Sequence, residues 1–250
     1  MTIEIILGLG VTGLFAGFIN SVAGGGSLLT LPALMLTGMP ADVANGTNRV
    51  GVLCQAAAAI ATFRGRGALE NIPATTISLP TLIGAGLGAL AASNTPNVIL
   101  EPILLGTMVV MAIVLTLRKS ILLPDEASAV QSPDLNPRSV LGLLAAGFYG
   151  GFVQAGLGFI LLSVFCGILS LDLVRANALK AATVFWLTIL ALGIFISNDL
   201  IHWIPGLIIG VGGAIGATFG ARFALGANAT LLRSIVLITV LGATVALIVR

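Results

Sequence analysis

The residues whose types and spacing could do chemistry fall in two glycine-rich stretches and two amide–cation pairs. The first stretch is Gly17-Phe18-Ile19-Asn20-Ser21-Val22-Ala23-Gly24-Gly25-Gly26-Ser27, set inside apolar sequence too hydrophobic for a surface loop. Glycines leave backbone N–H groups uncovered, and successive N–H groups in a turn form a concavity for an anion. A helix beginning near Ser27 would add the positive end of its dipole. The side chains of Asn20, Ser21 and Ser27 can donate further bonds. Such a segment could hold a small oxyanion with little formal positive charge. The competing reading is a packing kink satisfied by a neighbouring helix.

A weaker copy returns as Gly147-Phe148-Tyr149-Gly150-Gly151-Phe152-Val153-Gln154-Ala155-Gly156-Leu157-Gly158. Here Gln154 stands for a glycine and Leu157 for Ser27, so this copy offers an amide and fewer hydroxyls. The backbone N–H groups available to an anion are those around Gly24, Gly25 and Gly26 in the first copy and Gly156 in the second. A broken helix at membrane depth must have its freed backbone groups buried in protein or lining a wet cavity. Two such breaks at corresponding places are the sequence signature of a transporter's binding site.

The second constellation is Asn45-Gly46-Thr47-Asn48-Arg49, with Asn177-Ala178-Leu179-Lys180 as its counterpart. Each puts amides and a cation at the start of a long apolar run. A charge at the bilayer centre costs roughly 2.5–3.5 kcal/mol on insertion scales and is usually functional. Facing the glycine breaks, Arg49 and Lys180 would complete an anion site, with Asn48 and Asn177 beside them. The plain alternative is snorkelling to the interface. Asp42 and Asp172 precede these runs and read as helix caps and dipole partners. Glu101 reads the same way, and His202 beside Trp203 as an interfacial pair. No catalytic or metal-ligating constellation appears: there is no Ser-His-Asp set, no P-loop and no metal-ligand spacing. The chain reads as no enzyme and calls for no cofactor.

The elements that must position these groups follow from composition. The 250 residues are 58% hydrophobic and 8% charged, with mean hydropathy +1.14. Soluble domains carry about 25% charged residues, so this chain is an all-α polytopic membrane protein whose partner is the lipid bilayer. The net charge of +2 is scattered and forms no nucleic-acid face. Helices are expected at 3–20, 27–38, 44–63, 72–92 and 98–117, then at 139–153, 157–170, 176–197, 203–224 and 229–249. The second of each set is short for a full span and reads as a half-helix or re-entrant arm. The N-terminal run reads as a retained helix, not a cleaved signal. A polar stretch, 118–138, with three prolines, separates a first transmembrane repeat (1–117) from a second (139–250). Ala44-Asn45-Gly46 matches Ala176-Asn177-Ala178, and Ile83-Gly84-Ala85-Gly86-Leu87-Gly88 matches Ile215-Gly216-Ala217-Thr218-Phe219-Gly220, at a constant offset of about 130 residues, which argues for duplication. Small-residue pairs such as Gly84/Gly88 and Gly216/Gly220 read as close packing within the chain.

Basic residues in short loops set topology. Arg64 and Arg66, and the 118–138 linker with Arg118, Lys119 and Arg138, fall on the cytoplasmic side; the 93–97 loop falls outside. Eight crossings would make the repeats parallel with both ends inside. Ten would make them inverted. The charges leave both open.

The first glycine stretch, with Pro32-Ala33-Leu34 and Ala44 to Arg49, resembles the TauE/SafE family of sulfite exporters. Ala176 to Lys180 and Gly216-Ala217-Thr218-Phe219-Gly220-Ala221-Arg222 are similar to its second-half motifs, so the resemblance covers essentially the whole chain. It implies a multi-pass secondary transporter of the bacterial inner membrane. It also implies a small sulfur-containing anion, such as sulfite, thiosulfate or an organosulfonate, as substrate. Alternating access around a site between the repeats is the expected mechanism, with proton or ion coupling and a homo-oligomer left open. Two alternatives stand beside it: a channel-like facilitator, and a membrane sulfur-relay protein using Cys54 and Cys166. The first needs a continuous polar pore, and the second needs both thiols at the cavity.

Overall fold

The computed structural model describes residues 1–22, 24–65, 67–70, 74–117 and 136–226. These form nine helices and no strand: α1 Ile3–Val22, α2 Ser27–Leu36, α3 Ala41–Arg64, α4 Ala74–Ser93, α5 Asn97–Leu117, α6 Pro137–Phe152, α7 Leu157–Gly167, α8 Leu173–Ser197 and α9 Trp203–Gly226. The expected helix at 229–249 and most of the 118–138 linker lie outside the described residues. The linker's end belongs to α6, which begins at Pro137 and not at 139. Asn136 accepts the Ser139 N–H at 2.9 Å, and proline's fixed φ suits the first helical position. Asp172 caps α8 by accepting from the Arg175 N–H at 3.0 Å. Asp42 lies in the first turn of α3, as a dipole partner would.

Four helices (α1, α4, α8 and α9) are long and apolar enough to cross a membrane. At 24 residues α3 is as long as α9, but it carries the polar run Asn45 to Arg49. That run stays dry because α3 is buried on all sides from Ala44 to Val52. The two short arms, α2 and α7, follow the glycine breaks directly.

Packing registers give the helix directions. Gly212, Gly216 and Gly220 of α9 lie against the carbonyls of Gly10, Leu14 and Phe18, numbers rising together, so α1 and α9 are parallel. Gly84 and Gly88 of α4 meet the carbonyls of Leu144 and Phe148 in the same way, so α4 and α6 are parallel. Gly206 and Gly210 of α9 sit on Val50 and Cys54, which aligns α3 with α9. The 2.7 Å contact of Ser78 with Thr183, and that of Gly86 with Leu190, align α4 with α8. Between the groups the sense reverses: Arg49, early in α3, lies under Phe195, late in α8. So α1, α3 and α9 run one way, and α4, α6 and α8 the other. The glycine pairs seen in the sequence serve this packing within the chain.

The breaks meet at the centre. Gly24 has φ of +102° and Gly158 lies directly against it, so a Cβ on either would overlap the other's backbone. Glycine is the residue that fits both constraints.

Candidate functional site

Arg49 and Lys180 lie 0% and 3% exposed. They do not snorkel, and this corrects the plain alternative for both. Each lies roughly 10–12 Å along its helix at 1.5 Å per residue, well inside a core ~30 Å thick. Because α3 and α8 are antiparallel, the two cations come toward the middle from opposite faces.

Neither cation has an ion pair among the described residues, where every carboxylate is at least partly exposed. Instead each holds the end of a broken helix. Lys180 Nζ donates to the Asn20 carbonyl at 2.8 Å, in the last turn of α1, and to Asn177 Oδ1 at 2.6 Å. Arg49 donates through Nη1 to the Gly150 carbonyl at 3.3 Å and through Nη2 to the Gly151 carbonyl, in the last turn of α6. The Arg49 guanidinium also stacks on the Phe195 ring, 4.6 Å from its centroid. Helix C-termini carry about half a negative charge and orphan carbonyls, which is what a buried cation without a carboxylate needs. The arrangement is crosswise: the cation of the second half holds the break of the first, and the reverse.

The sequence-predicted residues therefore divide into clusters. Asn20, Asn177 and Lys180 come together, joined by Gln55, whose Oε1 accepts from Asn20 Nδ2 at 3.0 Å. Asn48 goes elsewhere, donating to Ser27 Oγ at 3.1 Å and accepting from Thr30 Oγ1 at 2.5 Å, which ties α2 to α3. Asn45 Nδ2 donates to the Phe152 carbonyl at 2.8 Å beside Arg49. Gln154 takes a left-handed backbone, φ +65°, and its Nε2 donates to Thr188 Oγ1 at 3.1 Å. Gly25, Gly26 and Ser21 are buried at the first break, and Gly156, φ +79°, at the second.

Sequence reasoning missed Gln55, Thr30 and Thr188. Gln55 had a signal: it stands seven residues after Asn48 on the same helix, in an otherwise apolar run. Several buried polar atoms have no partner among the described residues, including Asn45 Oδ1, Arg49 Nε, Gln55 Nε2, Gln154 Oε1 and Asn177 Nδ2. Cys54 and Cys166 are free thiols. A cavity of about 720 Å³ lies where α1, α3 and α9 begin, between Met1, Leu9, Met39, His202 and Trp203. Its lining includes neither thiol and no residue of the breaks. His202 is exposed there, and its backbone N–H donates to Thr47 Oγ1 at 2.9 Å.

An all-helical bundle with spans of membrane length, broken helices meeting at its centre and buried cations with no carboxylate partner among the described residues is the architecture expected of a multi-pass membrane transporter. The family described as "Sulfite exporter TauE/SafE" matches residues 9–247, and the chain belongs to it. It is similar to a probable membrane transporter protein of Haemophilus influenzae, 30% identical over 94% of this chain and 91% of that protein. It is likewise similar to a probable membrane transporter protein, ORF9, of Sinorhizobium, at 29% over 91% and 86%. The probable membrane transporter protein YfcA of Escherichia coli K12 is 27% identical over 90% and 82%. No solved structure matches the chain.

Proposed function

We propose that the protein is a secondary carrier for a small sulfur-containing anion (sulfite, another sulfur oxyanion or an organosulfonate), bound at the meeting point of the two glycine breaks. The observation that carries this reading is the pair of buried cations, Arg49 and Lys180, with no carboxylate to neutralise either among the described residues. A dry interior holding net positive charge is stabilised by an anion. The family's name supplies the chemical class, and the backbone N–H groups around Gly25, Gly26 and Gly156 suit an oxyanion, that of Gly24 being taken by the Ile19 carbonyl at 3.1 Å.

The two segments 1–117 and 139–250 act as inverted repeats in this proposal. Matching helices, α1 with α6, α3 with α8 and α4 with α9, run in opposite senses. The contacts exchange as well: Gly84 meets Leu144 and Gly88 meets Phe148, while their counterparts Gly216 and Gly220 meet Leu14 and Phe18. Rocking of such halves gives alternating access. Arg64, Arg138, Arg175 and Arg222 all fall at the face where α3 and α9 end and α6 and α8 begin, so that face is cytoplasmic. The Ile3 end of α1 and the 720 Å³ cavity then face outward.

The test is counterflow in proteoliposomes with labelled sulfite, thiosulfate and taurine. A carrier gives saturable flux accelerated by unlabelled substrate on the far side. Flux that rises linearly with concentration without such acceleration would favour a channel and overturn the carrier reading.

A further inference from the structure

The two cation clusters are chemically unlike. At Lys180 each acceptor oxygen already takes a proton. Asn177 Oδ1 accepts from Lys180 Nζ, the Asn20 carbonyl accepts from the same Nζ, and Gln55 Oε1 accepts from Asn20 Nδ2. What is left over is all donor: Asn177 Nδ2 and Gln55 Nε2 have no partner among the described residues, and the ammonium has a third proton. The Asn177 amide cannot be turned, because that would set its NH2 against the ammonium, and turning Gln55 alone would set its NH2 against that of Asn20. Gln55, Asn177 and Lys180 are 1%, 0% and 3% exposed, so water does not supply the missing acceptor from outside.

The Arg49 cluster differs. Both terminal nitrogens of the guanidinium donate to α6 carbonyls, and the two partnerless side-chain atoms are of opposite kind, the Arg49 Nε donor and the Asn45 Oδ1 acceptor. That oxygen faces an arriving anion with repulsion.

We infer that Gln55, Asn177 and Lys180 form a donor-only pocket for an oxyanion that carries no proton. This rests on the anion-carrier reading and narrows it to one of the two clusters, adding Gln55. Thiosulfate and sulfonates present only acceptor oxygens and fit. Hydrogen phosphate and bicarbonate bring an O–H that needs an acceptor, and every acceptor of the cluster is already engaged by a donor.

The experiment is thermal unfolding of the purified full-length protein in detergent, titrated with thiosulfate, methanesulfonate or inorganic phosphate, since a ligand of the native state raises apparent stability. Thiosulfate and methanesulfonate should raise the unfolding temperature, and phosphate should not. The Gln55→Met and Asn177→Leu variants should each need at least about tenfold more thiosulfate for the same shift, as one bond to a charged group is worth about that. Gln55→Glu, equal in size and polar enough to fold where Gln55→Met does not, should abolish the shift by placing a negative acceptor in the pocket. Wild-type affinity in folded Gln55→Glu or Asn177→Leu protein, or phosphate binding as well as thiosulfate, overturns the pocket and leaves the carrier intact. Absence of a shift with any sulfur anion in folded wild-type protein overturns both.

Discussion

Replacing Lys180 with methionine separates the structural from the binding role of the buried charge. The change removes an ammonium whose burial costs about 2.5–3.5 kcal/mol on insertion scales. It also removes two bonds, to the Asn20 carbonyl and Asn177 Oδ1, worth about 1.5–3 kcal/mol each when the donor is charged. Gain and loss offset, so stability should fall by no more than about 3 kcal/mol and the variant should fold. For a bound anion nothing offsets the loss. A unit charge about 4 Å away at an effective dielectric near 20 contributes roughly 4 kcal/mol, close to a thousandfold in affinity. The assay is thiosulfate and sulfite binding by calorimetry on wild-type and Lys180→Met protein, with helix content and unfolding temperature measured on the same samples. Affinity within about threefold of wild type, in protein with native helix content, would refute the electrostatic reasoning.

Arg49→Met should lower stability by about 2–4 kcal/mol, since it frees two α6 carbonyls and a stack on Phe195; thermal unfolding measures this. Arg49→Lys should restore only part, because a point ammonium cannot reach both carbonyls as the guanidinium fork does. Gly24→Val combines a left-handed backbone position, costing about 1–2 kcal/mol, with overlap onto Gly158. It should destabilise by about 2–5 kcal/mol and abolish counterflow. Asp172→Ala removes the cap of α8 and should cost about 0.5–2 kcal/mol with substrate affinity unchanged, measured on the same unfolding and binding curves.

Much of the fold was legible because its determinants are local. Apolar run lengths and glycine and proline punctuation placed the described helices to within a few residues, and the short arms α2 and α7 were visible as runs too brief to span. The start of α6 was missed because Pro137 reads as a loop residue unless Asn136 is seen as its cap. The candidate site was legible by residue type and not by partnership. Asn20, Asn177 and Lys180 were named and do come together. The atoms that hold Arg49 and Lys180, however, are backbone carbonyls of Gly150, Gly151 and Asn20, and a carbonyl has no signature in the sequence. Asn48 was expected beside Arg49 in function, yet adjacent residues on a helix point about 100° apart, and Asn48 faces α2 while Arg49 faces α6 and Phe195. Gln55 escaped because polar groups seven residues apart matter only once the face they share is known to be buried.

The crosswise holding of the breaks constrains how such a molecule can move. A ligand shifts a conformational balance only by binding one state better than the other. Lys180 lies on α8 of the second half and grips the end of α1 in the first. Under the carrier reading, an anion bound at the third proton draws the ammonium toward itself and away from the Asn20 carbonyl, so occupancy and the grip on α1 are linked through one group. Arg49 carries two carbonyl bonds and an aromatic stack, so it is held at three points. The two breaks, matched in sequence, are therefore unequal in mechanics: the second is fastened by a guanidinium that holds two carbonyls at once, and the first by an ammonium with a proton to spare. Under the carrier reading, the end of α1 is the element whose position an arriving anion can change, and the end of α6 is the fixed point against which it moves.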